Sequence, residues 1–220
     1  MSAGATDRPR IYQLLVRTFG NKNVNRKPYG TIEENGCGKF ADIDDTVLRS
    51  LKEMGFTHLW LTGVLEQAST TAYPDRPADH PALVKGKAGS PYAIRDCFDV
   101  SPDYALDPAN RLDEFDALVS RCHRHGFRVL IDFVPNHVAR SYASDVRPDF
   151  NFGTDDDKSE FFHRDNHFFY LQESHPGGGP PLVLPQTAEG TPYEEWHGRV
   201  SGNNVVHWRP GLYDLSLIHI

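Results

Sequence analysis

The stretch that most constrains the fold is Arg128–His137, with the sequence Arg-Val-Leu-Ile-Asp-Phe-Val-Pro-Asn-His. Its first part is nearly all apolar, apart from the leading arginine and one carboxylate, Asp132. A short run rich in Val, Ile and Phe, apolar on both faces, predicts a fully buried strand of a parallel sheet. Pro135 ends the strand because proline cannot donate a hydrogen bond to a sheet ladder. Asp132, Asn136 and His137 are therefore expected at the carboxyl edge of the sheet, where α/β folds bind their ligands.

Two helices are predicted from apolar residues that recur on one face. The first covers residues 43–54, with Asp42 or Asp44 as its N-cap, and the second covers residues 112–125. Acidic residues fill the first turn of the second helix and basic residues fill its last turn, an order that complements the helix dipole.

The two helices end in the same way. Gly55-Phe56 follows the first helix and Gly126-Phe127 follows the second, and each pair leads into a predicted strand. A further strand is predicted over Ile11–Phe19, before the first helix. The order strand, helix, strand, helix, strand is typical of an α/β fold with a parallel sheet.

Two long segments carry no helical period. Residues 62–111 contain six prolines and are predicted to be loop. Residues 138–208 are rich in Asp, Gly, Pro and aromatic residues, and a long irregular excursion after a strand is usually functional. Within it, the acidic run Asp155–Asp157 is typical of a solvated loop.

Charge and composition exclude several classes of function. Twenty-three basic and 30 acidic residues give a formal charge of -7, which argues against a nucleic-acid partner. No segment approaches the roughly 18 apolar residues that a membrane helix requires, and the first ten residues include no apolar signal core. The three cysteines fit no metal-binding spacing and cannot all pair. We therefore expect a soluble protein in a reducing compartment, the cytoplasm, with no membrane partner.

The hexapeptide Asp132–His137 resembles the first sequence signature of the α-amylase superfamily of glycoside hydrolases and transglycosidases, Asp-x-Val-x-Asn-His. Three further segments resemble that family in the same order: the opening strand at Ile11–Phe19, the second strand at Leu59–Leu61, and the loop Gly89–Tyr92 with Asp96–Val100. Together the four matches extend from residue 11 to about residue 140.

The resemblance implies the N-terminal portion of a (β/α)₈ TIM barrel with an irregular domain B inserted after the third strand. Residues 1–137 would be the first three β/α units, residues 138–208 domain B, and residues 209–220 the start of the return to the barrel. The segment Leu215–Ile220 either opens the fourth strand or is a non-native tail.

The resemblance also implies retaining cleavage or transfer of α-glucosidic bonds in α-glucans or small α-glucosides. His137 would hydrogen-bond the sugar ring at the bond that is cleaved, and Tyr92 would stack on the same ring. Asp132 would hold His137 and its loop through hydrogen bonds. Asn136 matches a position that binds a structural calcium ion in many members, although one amide oxygen does not make a calcium site.

The chain departs from the family pattern in two respects. Cys97 stands where the family commonly has an aromatic residue, and no Gly-x-Arg-x-Asp motif, which would carry the nucleophile, occurs. We therefore expect an N-terminal fragment that lacks the catalytic carboxylates and is inactive alone. The alternative is a non-catalytic sugar-binding protein or an inactive truncated product.

Overall fold

The computed structural model describes residues 8–159, 163–168 and 170, together with the backbone of residues 215–217. The chain divides into two compact units. The first unit comprises Met1–Val24, Gly36–Val64 and Val100–Phe133, and the second comprises Asn25–Asn35, Leu65–Asp99 and Val134–Ile220.

The described chain contains three α-helices and seven strands. In chain order they are β1 (Ile11–Leu15), α1 (Ile32–Asn35), α2 (Asp45–Glu53), β2 (His58–Thr62), β3 (Leu65–Gln67), β4 (Ile94–Val100), α3 (Arg111–Arg124), β5 (Arg128–Ile131), β6 (His137–Ala139) and β7 (Leu215–Leu217). None of the described helices is long and apolar enough to cross a membrane.

The first unit is built on a parallel sheet in the order β1-β2-β5. Ile11 pairs with His58, and His58 pairs with Arg128, so the three strands begin side by side. Alternate residues of these strands, among them Leu14, Leu59 and Leu61, join residues of α2 and α3 in one buried apolar cluster. The predicted α/β class with parallel strands is confirmed.

Capping side chains and glycines define both ends of α2. The Asp44 carboxylate accepts hydrogen bonds from the backbone amides of Thr46 and Val47, each at 2.9 Å, which confirms one of the two predicted N-caps. Gly55 follows the helix with a φ of +90°, a conformation that costs a glycine little.

The prediction that the third strand is fully buried is wrong. Among the described residues, β5 pairs with β2 along one edge and has no strand partner along its other edge. Leu130 is 37% exposed and Ile131 is 44% exposed, while Val129 alone in this strand packs against the apolar cluster. The strand is also shorter than the sequence predicts, since it ends at Ile131, before Asp132.

The prediction that residues 62–111 are loop throughout is also wrong. Strands β3 and β4 lie within this segment and pair with each other in the second unit. In β4 the charged residues Arg95, Asp96 and Asp99 are buried, whereas Phe98 is exposed. This reversal removes the apolar alternation by which a strand is recognised.

The β6 strand belongs to the second unit. It pairs antiparallel with β7, and His137 lies opposite Leu217 in the register. Closure of a barrel, the domain boundaries and the identity of the tail 215–220 stay predictions. Residues 171–208 of the predicted domain B, residues 209–214 and the last three residues lie outside the described residues.

Asp156 organises its loop and does not behave as part of a solvated acidic run. Its side chain is 1% exposed, and it accepts hydrogen bonds from the backbone amides of His167 and Phe168, each at 2.9 Å, and from the Tyr170 hydroxyl at 2.8 Å. Burial acts to raise the pKa of Asp156, but these hydrogen bonds together hold that pKa below its usual value.

We predict that Asp156→Asn lowers the free energy of unfolding at pH 6 and that this loss shrinks as the solution is acidified. A carboxylate with a lowered folded-state pKa stabilises the protein above its unfolded pKa of about 3.9 and stops doing so once it is protonated. Chemical unfolding of both proteins between pH 6 and pH 2.5 measures the difference. The exposed neighbour provides the control, since Asp155→Asn should change little; an equal effect of both substitutions would contradict the assignment.

Candidate functional site

His137 begins β6 and is oriented by its neighbour in the chain. Its Nδ1 lies 2.7 Å from the Oδ1 of Asn136, in a ring that is half-buried. An amide oxygen only accepts hydrogen bonds, so this contact favours the tautomer with its proton on Nδ1. In that tautomer Nε2 is the nitrogen that accepts hydrogen bonds.

Tyr92 lies on a tight turn that precedes β4. The backbone amide of Ala93 donates to the carbonyl of Ser90 at 3.0 Å, and the amide of Tyr92 lies 3.3 Å from the Ser90 hydroxyl. The Tyr92 side chain is 40% exposed. The turn therefore presents a large aromatic side chain to solvent while its own backbone is hydrogen-bonded.

The Tyr92 turn is attached to the residue that follows β3. Ala68 donates its amide to the Ala93 carbonyl at 2.9 Å, and its own carbonyl lies against Gly89. A Cβ added at Gly89 would lie 1.9 Å from that oxygen, and Gly89 has a φ of +77°. Only glycine satisfies both the left-handed backbone and the close approach.

Asp132 lies just past β5 in the first unit, and its carboxylate accepts a hydrogen bond from the indole Nε1 of Trp60 on β2. On the same strand Thr62 accepts a hydrogen bond from Gln13 of β1 at 2.9 Å. Side chains of β1 and β2 and of the residue that follows β5 therefore take part in hydrogen bonds at this part of the sheet.

The described residues contain one convergent group of acids, Glu66, Asp96 and Asp99, whose ligand atoms lie within 4.8 Å of one another. All three are buried, but Glu66 is engaged by two arginines, and Asp96 accepts hydrogen bonds from two backbone amides. Asn136, the predicted calcium ligand, is exposed and bonded to His137.

The structure locates the four predicted site residues without testing their roles. Tyr92, Asn136 and His137 belong to the second unit, and Asp132 belongs to the first. Asn136 and His137 are in direct contact. The predicted support of His137 by Asp132 stays a prediction.

Several residues that support these side chains carry no local signal in the sequence. The sequence predicts a strand at Leu59–Leu61, but it does not identify Trp60 as the hydrogen-bond donor to Asp132. Glu66 and the arginines that bind it are separated by 10 and 29 positions in the chain, so no local spacing could have revealed them.

Comparison with known proteins identifies the relatives of this chain. The profile of the family described as "Alpha amylase, catalytic domain" matches residues 16–197. A cyclomaltodextrin glucanotransferase from Bacillus sp. (strain 1-1) is 29% identical over 149 residues, which are 64% of this chain and 19% of that protein. Maltase 1 from Drosophila virilis is 41% identical over 127 residues, or 58% of this chain and 15% of that protein.

Among solved structures, an alpha-amylase from Lactobacillus plantarum superimposes with a TM-score of 0.44 at 25% identity, covering 73% of this chain and 28% of that one. The chain spans less than a fifth of the length of the Bacillus glucanotransferase and of the Drosophila maltase.

We predict that Gly89→Ala destabilises the protein more than Gly86→Ala. Both glycines have a positive φ, but a Cβ at Gly86 meets nothing within 4 Å. Gly86→Ala should therefore cost only the strain of an alanine in a left-handed backbone, about 1 kcal/mol. The clash at Gly89 should cost about 1–3 kcal/mol more. Chemical unfolding of both variants measures this difference, and equal stabilities would show that the Tyr92 turn relaxes freely.

Proposed function

Because the chain belongs to the α-amylase catalytic-domain family, we propose that it provides the sugar-binding part of a retaining glycoside hydrolase or glucanotransferase. The family is enzymatic, and its members act through a carboxylate nucleophile and a carboxylic acid/base placed about 5–5.5 Å apart. We propose that the described residues bind and orient the sugar, and that turnover depends on catalytic carboxylates which this sequence does not carry in the family's Gly-x-Arg-x-Asp form.

Tyr92 is the residue whose geometry best supports this proposal. A pyranose ring has an apolar face of C–H groups, which pack against an aromatic ring and bury apolar surface. The Tyr92 side chain is exposed, and its turn is fixed by the backbone. A turn held in this way does not lose much backbone conformational entropy when a sugar stacks on its tyrosine.

His137 is proposed to bind a hydroxyl group of the same sugar. With Nδ1 donating to Asn136, Nε2 accepts a hydrogen bond from a sugar hydroxyl, and protonation at Nε2 would convert it into a donor. Asn136 then serves to orient the imidazole, because it holds one tautomer and one ring plane. Asp132, fixed by Trp60, is proposed to support this loop.

The substrate class is proposed to be an α-glucan or a small α-glucoside. The matching relatives include proteins named cyclomaltodextrin glucanotransferase, pullulanase A and maltase 1. We extend the substrates implied by those names to this chain as a class. The formal charge of -7 suits a neutral ligand better than a polyanion.

A cytoplasmic location belongs to the same proposal. Cys37, Cys97 and Cys122 are all free thiols. Free cysteines are typical of a reducing compartment.

Calcium at Asn136 is proposed only as a structural ion, and no catalytic step depends on it. Calcium takes about six to eight oxygen ligands, whereas Asn136 offers one oxygen that already accepts from His137. Asn136 therefore does not by itself form a calcium site.

The test of the proposed function is a titration of the 220-residue chain with maltoheptaose. We predict that Tyr92→Ala weakens binding about tenfold, because an aromatic contact contributes up to about 1.5 kcal/mol beyond buried area, whereas Tyr92→Phe keeps the stacking face and most of the affinity. Tyr29, another exposed tyrosine of the second unit, provides the control, and Tyr29→Ala should bind as the parent does.

Two results of this titration would contradict the proposal. Binding that is unaffected by Tyr92→Ala would remove Tyr92 from the sugar site. No detectable binding of maltoheptaose by the folded parent chain would favour the alternative of an inactive truncated product. Release of a chromogenic aglycone from an α-maltoside by the chain alone would instead show that carboxylates within these residues suffice for turnover.

A further inference from the structure

Beneath the Tyr92 turn, the second unit contains a network of buried charges formed by Glu66, Arg76, Asp79 and Arg95. None of the four residues is more than 7% exposed. Arg95 donates to Glu66 at 2.8 Å, and Arg76 donates to Asp79 at 2.6 Å. Arg76 also donates to Glu66, and the Arg95 guanidinium lies 3.4 Å from Asp79. Each arginine therefore contacts both carboxylates.

Stability alone does not explain such a network. Removing four charges from water costs several kcal/mol for each ion, and apolar residues of similar volume often serve stability as well or better. Among the described residues, the buried Oε2 of Glu66 has no hydrogen-bond partner, so these protein groups alone do not satisfy every atom of the network. In some proteins, buried ionic groups instead specify one defined arrangement of the segments that carry them.

The segments that the network fixes are β3, β4 and the chain between them. Arg76 donates to the Gln67 carbonyl and to the Thr71 carbonyl, each at 2.9 Å. Asp79 accepts a hydrogen bond from the Ser69 amide at 2.9 Å. The guanidinium and the carboxylate thus hold the backbone on both sides of Ala68.

Ala68 connects the network to Tyr92. Its amide donates a hydrogen bond to the Ala93 carbonyl, and its own carbonyl lies against Gly89. Ala68 therefore contacts the turn on both sides of the tyrosine. Arg95 follows Tyr92 by three positions and enters the network from β4. The two ends of the turn are consequently attached to segments whose positions the four charged residues determine.

We propose that Glu66 and Arg95 are positioning residues for sugar binding, which hold the Tyr92 turn in the geometry that stacks on the ligand. This inference rests on the proposed function of Tyr92 and names the residues that control it. It assigns to the network an effect on affinity that acts through Tyr92 and is separate from its effect on folding.

The test is a double-mutant cycle read out by maltoheptaose affinity on the 220-residue chain. Arg95→Lys keeps the positive charge but loses the planar fork that contacts both carboxylates, and Glu66→Gln keeps the shape but loses the charge. Each change is made in the parent and in Tyr92→Ala. Arg147→Lys is the matched control, because Arg147 is an exposed arginine of the same unit that pairs with Asp149 at 3.2 Å.

We expect Arg95→Lys and Glu66→Gln each to weaken binding about fivefold in the parent chain, and to have almost no effect in Tyr92→Ala, because groups that act through one contact are strongly non-additive. Arg147→Lys should leave affinity unchanged in both backgrounds. Thermal unfolding identifies the folded variants, and if Arg95→Lys does not fold, Glu66→Gln carries the comparison.

The outcomes separate failure of this inference from failure of the proposed function. If Tyr92→Ala weakens binding while folded Glu66→Gln and Arg95→Lys bind as the parent does, the positioning role is wrong and the sugar site stands. Equal weakening in both backgrounds would also overturn it, because the network would then act independently of Tyr92. If Tyr92→Ala itself binds normally, the proposed function fails, and the positioning role fails with it.

Discussion

The repeated end of the two helices is the constraint on which the first unit depends. Gly55 and Gly126 both take a left-handed backbone, with φ of +90° and +72°. In each case the amide of the following phenylalanine donates to the carbonyl five positions earlier, which reverses the chain and points it into a strand. His58, three residues after Gly55, pairs with Arg128, two residues after Gly126, and the carboxyl ends of these parallel strands meet at one edge of the sheet.

The interior of each unit is stabilised by a different kind of interaction. In the first unit, aliphatic and aromatic residues from the sheet and from α2 and α3 exclude water from one face of the sheet. In the second unit, the apolar clusters are small, and the β3–β4 pair is accompanied by the buried charges of Glu66, Arg76, Asp79 and Arg95. Apolar burial is not directional, whereas hydrogen-bonded charges in a low-dielectric interior permit few arrangements. The second unit also contains the turn that carries Tyr92, the proposed sugar-stacking residue.

Much of the first unit could be predicted because its signals are local. The cap at Asp44 and the glycines after both helices act within about one turn of helix, and the structure confirms them. The candidate site was found in part for a similar reason, since Asn136 and His137 are adjacent in sequence and touch in the structure. The β4 strand could not be predicted from its pattern because its charged residues are buried. The role of Asp156 could not be predicted because its hydrogen-bond partners lie 11 to 14 positions further along the chain.

The sequence by itself determined the order of the parallel strands and of the two long helices in the first unit, the way those helices end, and the resemblance to the family through four segments between residue 11 and about residue 140. Only the tertiary structure decided which side chains are covered: β5 is exposed although it is apolar, and Arg95 is buried although it is charged. The physical reason is that backbone conformation responds to near neighbours, whereas burial and ion pairing depend on segments brought together by folding, as Glu66 and Arg95 are across 29 positions.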